Sequence, residues 1–436
     1  MKIAVIGSGI SGLSCAYELS KVKLAVTPEV SLFEANDYFG GHTHTVDVSL
    51  EGNTFGVDTG FLVFNHKTYP NLVRLFQDLQ IETVTTDMSF SVKMPQGGRL
   101  LEWAGANLDT VFAQRRNLFN PDFLRMLRDI LRFNKQTTAL ALSASQQEFH
   151  TPLGQFLDQH RYSDGFRHGY LLPMAACIWS CPTETMMAFP LSSFVNFCHN
   201  HGLLQVNNRP QWQTVKGGAR QYVEKMLPVI SHCHLKTPVH AVYQHAQRSW
   251  IVESTRGIES FDQVVFACHS DQTLALLKDA SGAERSVLSA VAYQPNHAVL
   301  HTDASFLPTR RKAWSAWNYE SENGDEPRVC VHYLINQLQP LPCQTPVIVT
   351  LNPIREPAAD KVLARYDYAH PVFDSKAVAA QQALTQIQGQ RQAWFAGAWT
   401  GYGFHEDGLK SGLFVAKNIL ARAGSSDTGD TWSAAA

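Results

Sequence analysis

Short apolar runs alternate along the chain with longer stretches of helical periodicity. The first run, KIAVI at residues 2–6, is of strand type, and a glycine-rich turn separates it from LSCAYELSK, whose residues favour a helix. A polar, proline-containing stretch, KVKLAVTPE, then leads to a second strand, VSLF, that closes on Glu34. Residues 86–204 hold long helical patterns, whereas 273–384 hold strand-like runs such as NHAVLHTD, RVCVHYLIN and PVIVTLNP. That alternation predicts a sheet backed by helices. Near the end, AWFAG reads as a strand, and an amphipathic helix is expected from about Gly408 to Leu420. The closing residues, 424–436, are small and polar and read as a disordered tail.

One amphipathic segment carries a further expectation. NPDFLRMLRDILRFNK offers Asn120 as helix cap and Pro121 at the first helical position. Its apolar residues are Phe123, Leu124, Leu127, Ile130 and Leu131, and Arg125, Arg128, Arg132 and Lys135 share much of the opposite face. A basic amphipathic helix of this kind can lie on an anionic membrane, so peripheral contact through residues 120–135 is expected.

The turn after the first strand bears the clearest chemistry. In GSGISG, Gly7, Gly9 and Gly12 have the spacing of a dinucleotide-binding turn. Gly7 permits the turn, Gly9 lets backbone N–H groups approach a pyrophosphate, and Gly12 allows close packing of helix on strand. The phosphate then meets the N-terminus of the helix, beside Ser11, where unpaired N–H groups favour an anion. Glu34 lies 22 positions beyond Gly12, at the tip of the second strand, where an acidic residue accepts hydrogen bonds from ribose hydroxyls. The fold class is therefore α/β with a Rossmann-like domain, and the dinucleotide could be NAD or FAD.

GSGISGLSCAYEL, FEANDYFGGH and VDTGF together resemble the N-terminal signature of the flavin amine oxidase superfamily, which also contains protoporphyrinogen oxidases and carotenoid desaturases. AWFAGAWTGYGFHEDGLKSGLFVAKNIL resembles its C-terminal FAD motif. The resemblance covers essentially the whole chain and implies FAD. It implies a discontinuous FAD-binding domain from 1–85, 205–272 and 385–423, and an α+β substrate domain, a mixed sheet with helices, from 86–204 and 273–384. Through it, Gly41 and His42 fall at the pyrophosphate, with His42 standing where relatives usually have Arg. Val239 falls at the adenine contact, and Gly397, Gly403, Phe404, Glu406, Asp407 and Gly408 belong to the turn along the isoalloxazine.

Composition leaves this picture intact. The chain has 436 residues, enough for two domains, and a formal charge of -2, which gives no pull towards nucleic acid. No apolar run is long enough to cross a bilayer and no signal peptide is evident, so a cytoplasmic protein is expected, at most peripheral on the inner membrane surface. The eight cysteines form no CxxC pair. Neither Cys177 with Cys181 nor His42 with His44 finds a matching second pair, so no metal site is read.

The substrate side is read from a finer resemblance. AACIWSCP, NHGLLQVNNRPQWQTVKGGARQYV, AWSAWNY and LINQLQPL look like a bacterial subgroup of NAD/FAD-binding proteins associated with fatty-acyl lipid modification. That implies a small-molecule or lipid substrate and a lipid-modifying enzyme as partner. Trp179, His201, Trp212, Trp317, Asn318 and Tyr319 are the candidate substrate contacts. Phe404 aligns with a cage tyrosine of amine oxidases, and Lys312 is the candidate for the lysine that bridges a water to flavin N5. The expected reaction is hydride transfer from a substrate C–H bond to the flavin, with oxidation, desaturation or isomerisation of an apolar fatty-acyl or polyene chain as outcome. Amine oxidation and a non-catalytic accessory or sensor role are the alternatives.

Overall fold

The computed structural model describes residues 1–22, 28–96, 98–142, 151–179, 186–205, 209–245, 249–322 and 329–424. The tail read as disordered lies, beyond Gly424, outside the described residues, as does Cys181. Apolar runs of strand type assemble into a five-stranded parallel sheet. Its order is His232–His234, Glu29–Phe33, Lys2–Ile6, Gln263–Phe266 and Ala393–Phe395.

Alternate residues of the inner strands enter two different cores, which is why those runs are mostly apolar, whereas the edge strand His232–His234 is partly exposed. Ile3, Val5, Val30, Leu32 and Val265 join the main core with the helices Ile10–Lys21 and His405–Arg422. Ala4, Ile6, Phe33, Val264 and Phe266 join a second core under an antiparallel meander, Val239–Gln244, Trp250–Ser254 and Gly257–Phe261. The two helices cross closely because Gly408 and Gly412 face Ser11 and Ser14. A Cβ on Gly412 would stand 2.2 Å from Ser11 O.

A second, seven-stranded sheet runs Val362–Val372, Ala292–His301, Ile348–Leu351, Val329–Leu334, Trp317–Ser321, Phe90–Gln96 and Arg99–Ala104. All its pairs are antiparallel except Trp317–Ser321 with Phe90–Gln96. The last two strands come from the stretch read as helical. FSVKM buries Ser91 and Val92 and leaves Phe90, Lys93 and Met94 half-buried, and Gly98 at φ +73° turns the chain into the returning strand.

The helix Pro121–Leu142 also divides its apolar residues differently from expectation. Phe123, Met126 and Phe133 are buried, whereas Leu124 and Leu131 are exposed among Arg125, Arg128 and Lys135. The core takes the stripe at intervals of three and four residues that starts from Phe123, leaving the neighbouring leucines outside. Among the described residues, no helix is long and apolar enough to cross a membrane.

Candidate active site

The glycine turn sits where the first strand feeds its helix. Gly7 has φ +100° and its N–H donates to Phe33 O (2.9 Å). A Cβ on Gly12 would stand 1.9 Å from Gly7 O, so strand and helix can meet only at glycine. Gly9 is different, because a Cβ there would meet nothing within 4 Å. Gly41, at φ +59°, brings its own Cβ position to 3.0 Å from Gly9 Cα, so two loops converge with open space above Gly9.

Glu34 is buried at the tip of the second strand and organises this turn. It accepts from Ser8 N (3.1 Å), Ser8 Oγ (2.5 Å) and Asn36 N (2.8 Å), while Ser8 Oγ accepts from Gly40 N (3.1 Å). Ser8 occupies a variable position of the glycine pattern, so its sequence carried no signal for this role. Val239 follows Thr237, whose N–H donates to Glu34 O (2.7 Å), so its strand starts beside the acidic tip.

His42 lies between the glycine turn and the edge strand Val362–Val372, with ring centroids 5.2 Å from both Tyr368 and His370. Burial and the neighbouring histidines push its pKa well down, so the ring is neutral. Its Nε2 is enclosed and has no hydrogen-bond partner among the described residues. An enclosed imidazole nitrogen without a partner, beside the open space at Gly9, fits a bound group that supplies hydrogen-bonding atoms.

The C-terminal turn departs from its expected form. The helix starts at His405, not near Gly408, because Asp407 at its third position accepts from Phe404 N (3.0 Å) and caps it. Burial raises the Asp407 pKa to about 6. Glu406 accepts from Asn71 N (3.0 Å), Asn71 Nδ2 (2.7 Å) and Leu72 N (3.0 Å), so it caps the helix Pro70–Asp78. Both carboxylates, read as bordering the isoalloxazine, are thus engaged by backbone N–H groups of two helix starts. Gly403, at φ +90°, packs on Phe373, and Gly397 packs against the Trp399 ring while its N–H donates to Ser411 Oγ (2.9 Å).

Beside this turn stands an aromatic wall. Phe404 stacks on Phe197 (4.5 Å, 18°) and lies 5.6 Å from His201 and 6.5 Å from Trp179. His201 stacks on Phe197 (4.0 Å) and lies 6.4 Å from Trp212, nearly parallel to it. Its Nδ1 donates to Phe197 O (3.0 Å), and burial lowers its pKa to about 4. His405, lowered by burial to about 3, stacks on Phe61 (3.9 Å) and hydrogen-bonds Tyr222 Oη (2.8 Å). Both histidines are neutral, so the wall is uncharged and mainly aromatic, with Tyr69 against His201 (6.2 Å) and Tyr402 against Phe197 (6.3 Å). A lone phenylalanine in a helical pattern, such as Phe197, carries no signal that separates it from core, whereas His405 lies within the C-terminal motif.

Trp179 and His201 therefore meet Phe404, Trp212 joins them through His201, and the other candidates show no such contact among the described residues. Trp317 lies edge-on to Tyr333 (5.0 Å), with no ring contact to Phe404 among the described residues. Tyr319 is buried in the main core and its pKa is raised by burial. Asn318 faces the opposite side of the sheet, donating to Ser315 O (2.5 Å) and His332 O (3.1 Å). Lys312 is the clearest correction. Its ammonium pairs with Asp109 (2.8 Å), its side chain is 61% exposed, and it sits by the edge strand Arg99–Ala104. His42 contacts the opposite edge of that sheet, six strand spacings away, or roughly 29 Å at the usual separation.

Asp58, from the VDTGF segment, joins the two sheets' surroundings. It accepts from Ala219 N (3.0 Å) and Gln339 Nε2 (2.9 Å), and burial pushes its pKa up to about 7.

Comparison with known proteins agrees with this construction. The profile of the flavin-containing amine oxidoreductases matches residues 10–340. A 1-hydroxycarotenoid 3,4-desaturase from Flavobacterium sp. (strain P99-3) is 37% identical over 81 residues, a stretch covering 19% of this chain and 15% of that relative's length. Among solved structures, cyclohexylamine oxidase from Brevibacterium oxydans superposes with a TM-score of 0.67 at 15% identity, covering 97% of this chain and 99% of the other. The CLA-producing fatty acid isomerase from P. acnes superposes with a TM-score of 0.64 at 13% identity, covering 96% and 98%. With the dinucleotide turn, the capped C-terminal helix and a family match over most of its length, the chain belongs to the flavin-containing amine oxidoreductases, which are FAD-dependent oxidoreductases.

Proposed function

We propose that this protein oxidises, desaturates or isomerises an apolar substrate, fatty-acyl or polyene, held against the aromatic wall around Phe404. The observation that carries this reading is the wall's chemistry. Phe404, Phe197 and Trp212 surround a neutral His201, Trp179 packs against Phe404, and the adjacent carboxylates, Glu406 and Asp407, are turned into helix caps. An ammonium group would gain most from a free carboxylate, and the two carboxylates beside this wall, Glu406 and Asp407, are both taken up by backbone N–H groups. The fatty acid isomerase and the carotenoid desaturase among the similar proteins support the same substrate class.

FAD, when bound, supplies the acceptor for a hydride from a substrate C–H bond. The residues that would hold it are Gly7, Gly9, Ser11 and Gly12 at the pyrophosphate, with Glu34, Gly41, His42 and Val239 around the nucleotide. Gly397, Gly403 and Gly408 shape the C-terminal turn. For the rest, the protein positions and dries the reacting carbon. Phe404 is held by its stack on Phe197, and His201 is fixed by its bond to Phe197 O, so an apolar chain would lie on rigid rings with little water. No strong acid or base is required for such a step.

The test is anaerobic. The purified yellow protein is mixed in turn with fatty acids, a polyene extract and simple amines, and the loss of flavin colour is followed. Bleaching by fatty acid or polyene is expected; bleaching by amines alone would move the protein to the amine oxidases. Bound flavin that no fraction bleaches or consumes would favour the sensor or accessory role.

A further inference from the structure

The surface formed by residues 99–135 differs from the rest of the molecule. Of the twelve large apolar side chains that are strongly exposed among the described residues, seven fall between Leu100 and Leu142. Phe119 is 86% exposed and Leu108 is 76% exposed. Leu124, Arg128, Leu131 and Lys135 follow one another at intervals of four, three and four residues, so they form one exposed line along the helix. The same stretch holds seven basic and four acidic residues, in a chain whose net charge is -2. Three of the acids are already engaged. Glu102 is buried against Arg310 (2.8 Å), Asp129 accepts from Ser163 Oγ (2.6 Å), and Asp109 pairs with Lys312 and Arg115.

Between the strand at Arg99 and the turn at Phe119 lies a cleft of about 360 Å³, lined by Arg99, Leu101, Arg116, Asn117 and Phe119 among others. Asn117 is 2% exposed, yet its Nδ2 has no hydrogen-bond partner among the described residues. Arg116 donates to Leu100 O (2.6 Å) and Gln114 Oε1 (3.3 Å), which fixes its guanidinium at the rim. Arginine and the amide nitrogen of asparagine are donors, so the cleft suits an anion with several acceptor oxygens, such as a phosphate. A free phosphate would leave the neighbouring Phe119 and Leu118 unexplained. A phospholipid accounts for both, with its phosphate in the cleft and its acyl region meeting the exposed rings and leucines.

We propose that residues 99–135 dock this protein on an anionic phospholipid surface, with the cleft of Arg99, Arg116 and Asn117 receiving a lipid phosphate and Phe119 and Leu108 entering the acyl region. This does not depend on the substrate assignment, because Arg99, Leu108, Arg116, Asn117 and Phe119 have no ring contact or hydrogen bond with the Phe404 wall among the described residues.

The full-length protein is sedimented with vesicles of phosphatidylcholine alone and of phosphatidylcholine mixed equally with phosphatidylglycerol. Binding to the anionic vesicles is expected to be at least about tenfold tighter and to weaken with salt. Phe119→Ser should weaken it by about tenfold on the anionic vesicles, since a large buried apolar contact is removed. Arg99→Ala should weaken it by roughly fivefold, in line with the contribution of one basic residue near the surface. The flavin spectrum and melting temperature of each variant check that it is folded. Equal weak binding to both vesicles, or unchanged binding by both variants, overturns the proposal. So does complete release of the protein by millimolar inorganic phosphate at constant ionic strength, since that would make the cleft a site for a soluble anion.

Discussion

The glycine turn at residues 7–12 and the wall around Phe404 solve different packing problems. In the turn, backbone approaches backbone. Gly12 leaves no room for a Cβ beside Gly7 O, and Gly41 presses on Gly9. At the wall, side chain meets side chain, with Phe404 on Phe197 and His201 on Phe197 at 4.5 and 4.0 Å. Backbone approach permits one residue type, and the identity of that residue is therefore fixed by geometry. Ring stacking permits several aromatic residues, so it can be retuned from one substrate to another while the fold is kept.

The turn itself contains two kinds of glycine, and substituting them separates folding from cofactor binding. Gly12→Val has the largest expected effect. Its side chain collides with main chain at 1.9 Å, which no rotamer relieves, so a loss of more than about 3 kcal/mol and little folded protein are expected in expression and thermal melts. Gly9→Val should fold as the parent does, because its Cβ enters open space, but it should purify colourless with flavin affinity reduced by about a hundredfold. A yellow Gly9→Val protein would mean that the pyrophosphate does not lie over Gly9.

The same contrast explains what could be read in the chain. The parallel sheet, the turn and the acidic tip at Glu34 were legible because each is written locally, as an apolar run, a glycine spacing or a residue at a strand end. The hairpin Phe90–Gln96 with Arg99–Ala104 was not, since its place depends on the pairing of Phe90 with Trp317 more than two hundred residues later. The motif marks Glu406 and Asp407 as ring neighbours, yet their carboxylates face the starts of two helices, one of them 335 positions away in sequence. Trp179, His201 and Trp212 were legible as chemically distinctive residues. Phe197, which holds three of the wall's rings together, was not, because nothing in its type separates it from an ordinary core residue.

Phe404→Ala probes the wall at its centre. The ring is half-buried and caps the C-terminal helix through its backbone rather than its side chain, so the helix should persist. Flavin should remain bound, while turnover of an apolar substrate falls by about tenfold through lost positioning, a cost of roughly 1.4 kcal/mol in the barrier. Stopped-flow reduction of the bound flavin by substrate gives that number directly. Release of flavin on dialysis would instead place Phe404 among the groups that hold the cofactor.

Lys312→Ala should have the smallest effect, and it bears on the boundary between wall and surface. A lysine that orders water at flavin N5 must be enclosed near the C-terminal turn, whereas this ammonium is exposed and paired with Asp109. An exposed pair of this kind contributes little to stability, because solvent screens both charges. Flavin reduction and reoxidation in Lys312→Ala should therefore stay within about twofold of the parent, since solvent already screens that charge. A tenfold loss in reoxidation by oxygen would require the segment Arg311–Ala313 to leave its place beside Arg99–Ala104 and reach the flavin. The ion pairs that hold it there, Lys312 with Asp109 and Arg310 with the buried Glu102, would then have to break during turnover. Breaking the second would leave a buried carboxylate without its partner, which is the costlier step, so the segment is expected to stay at the surface.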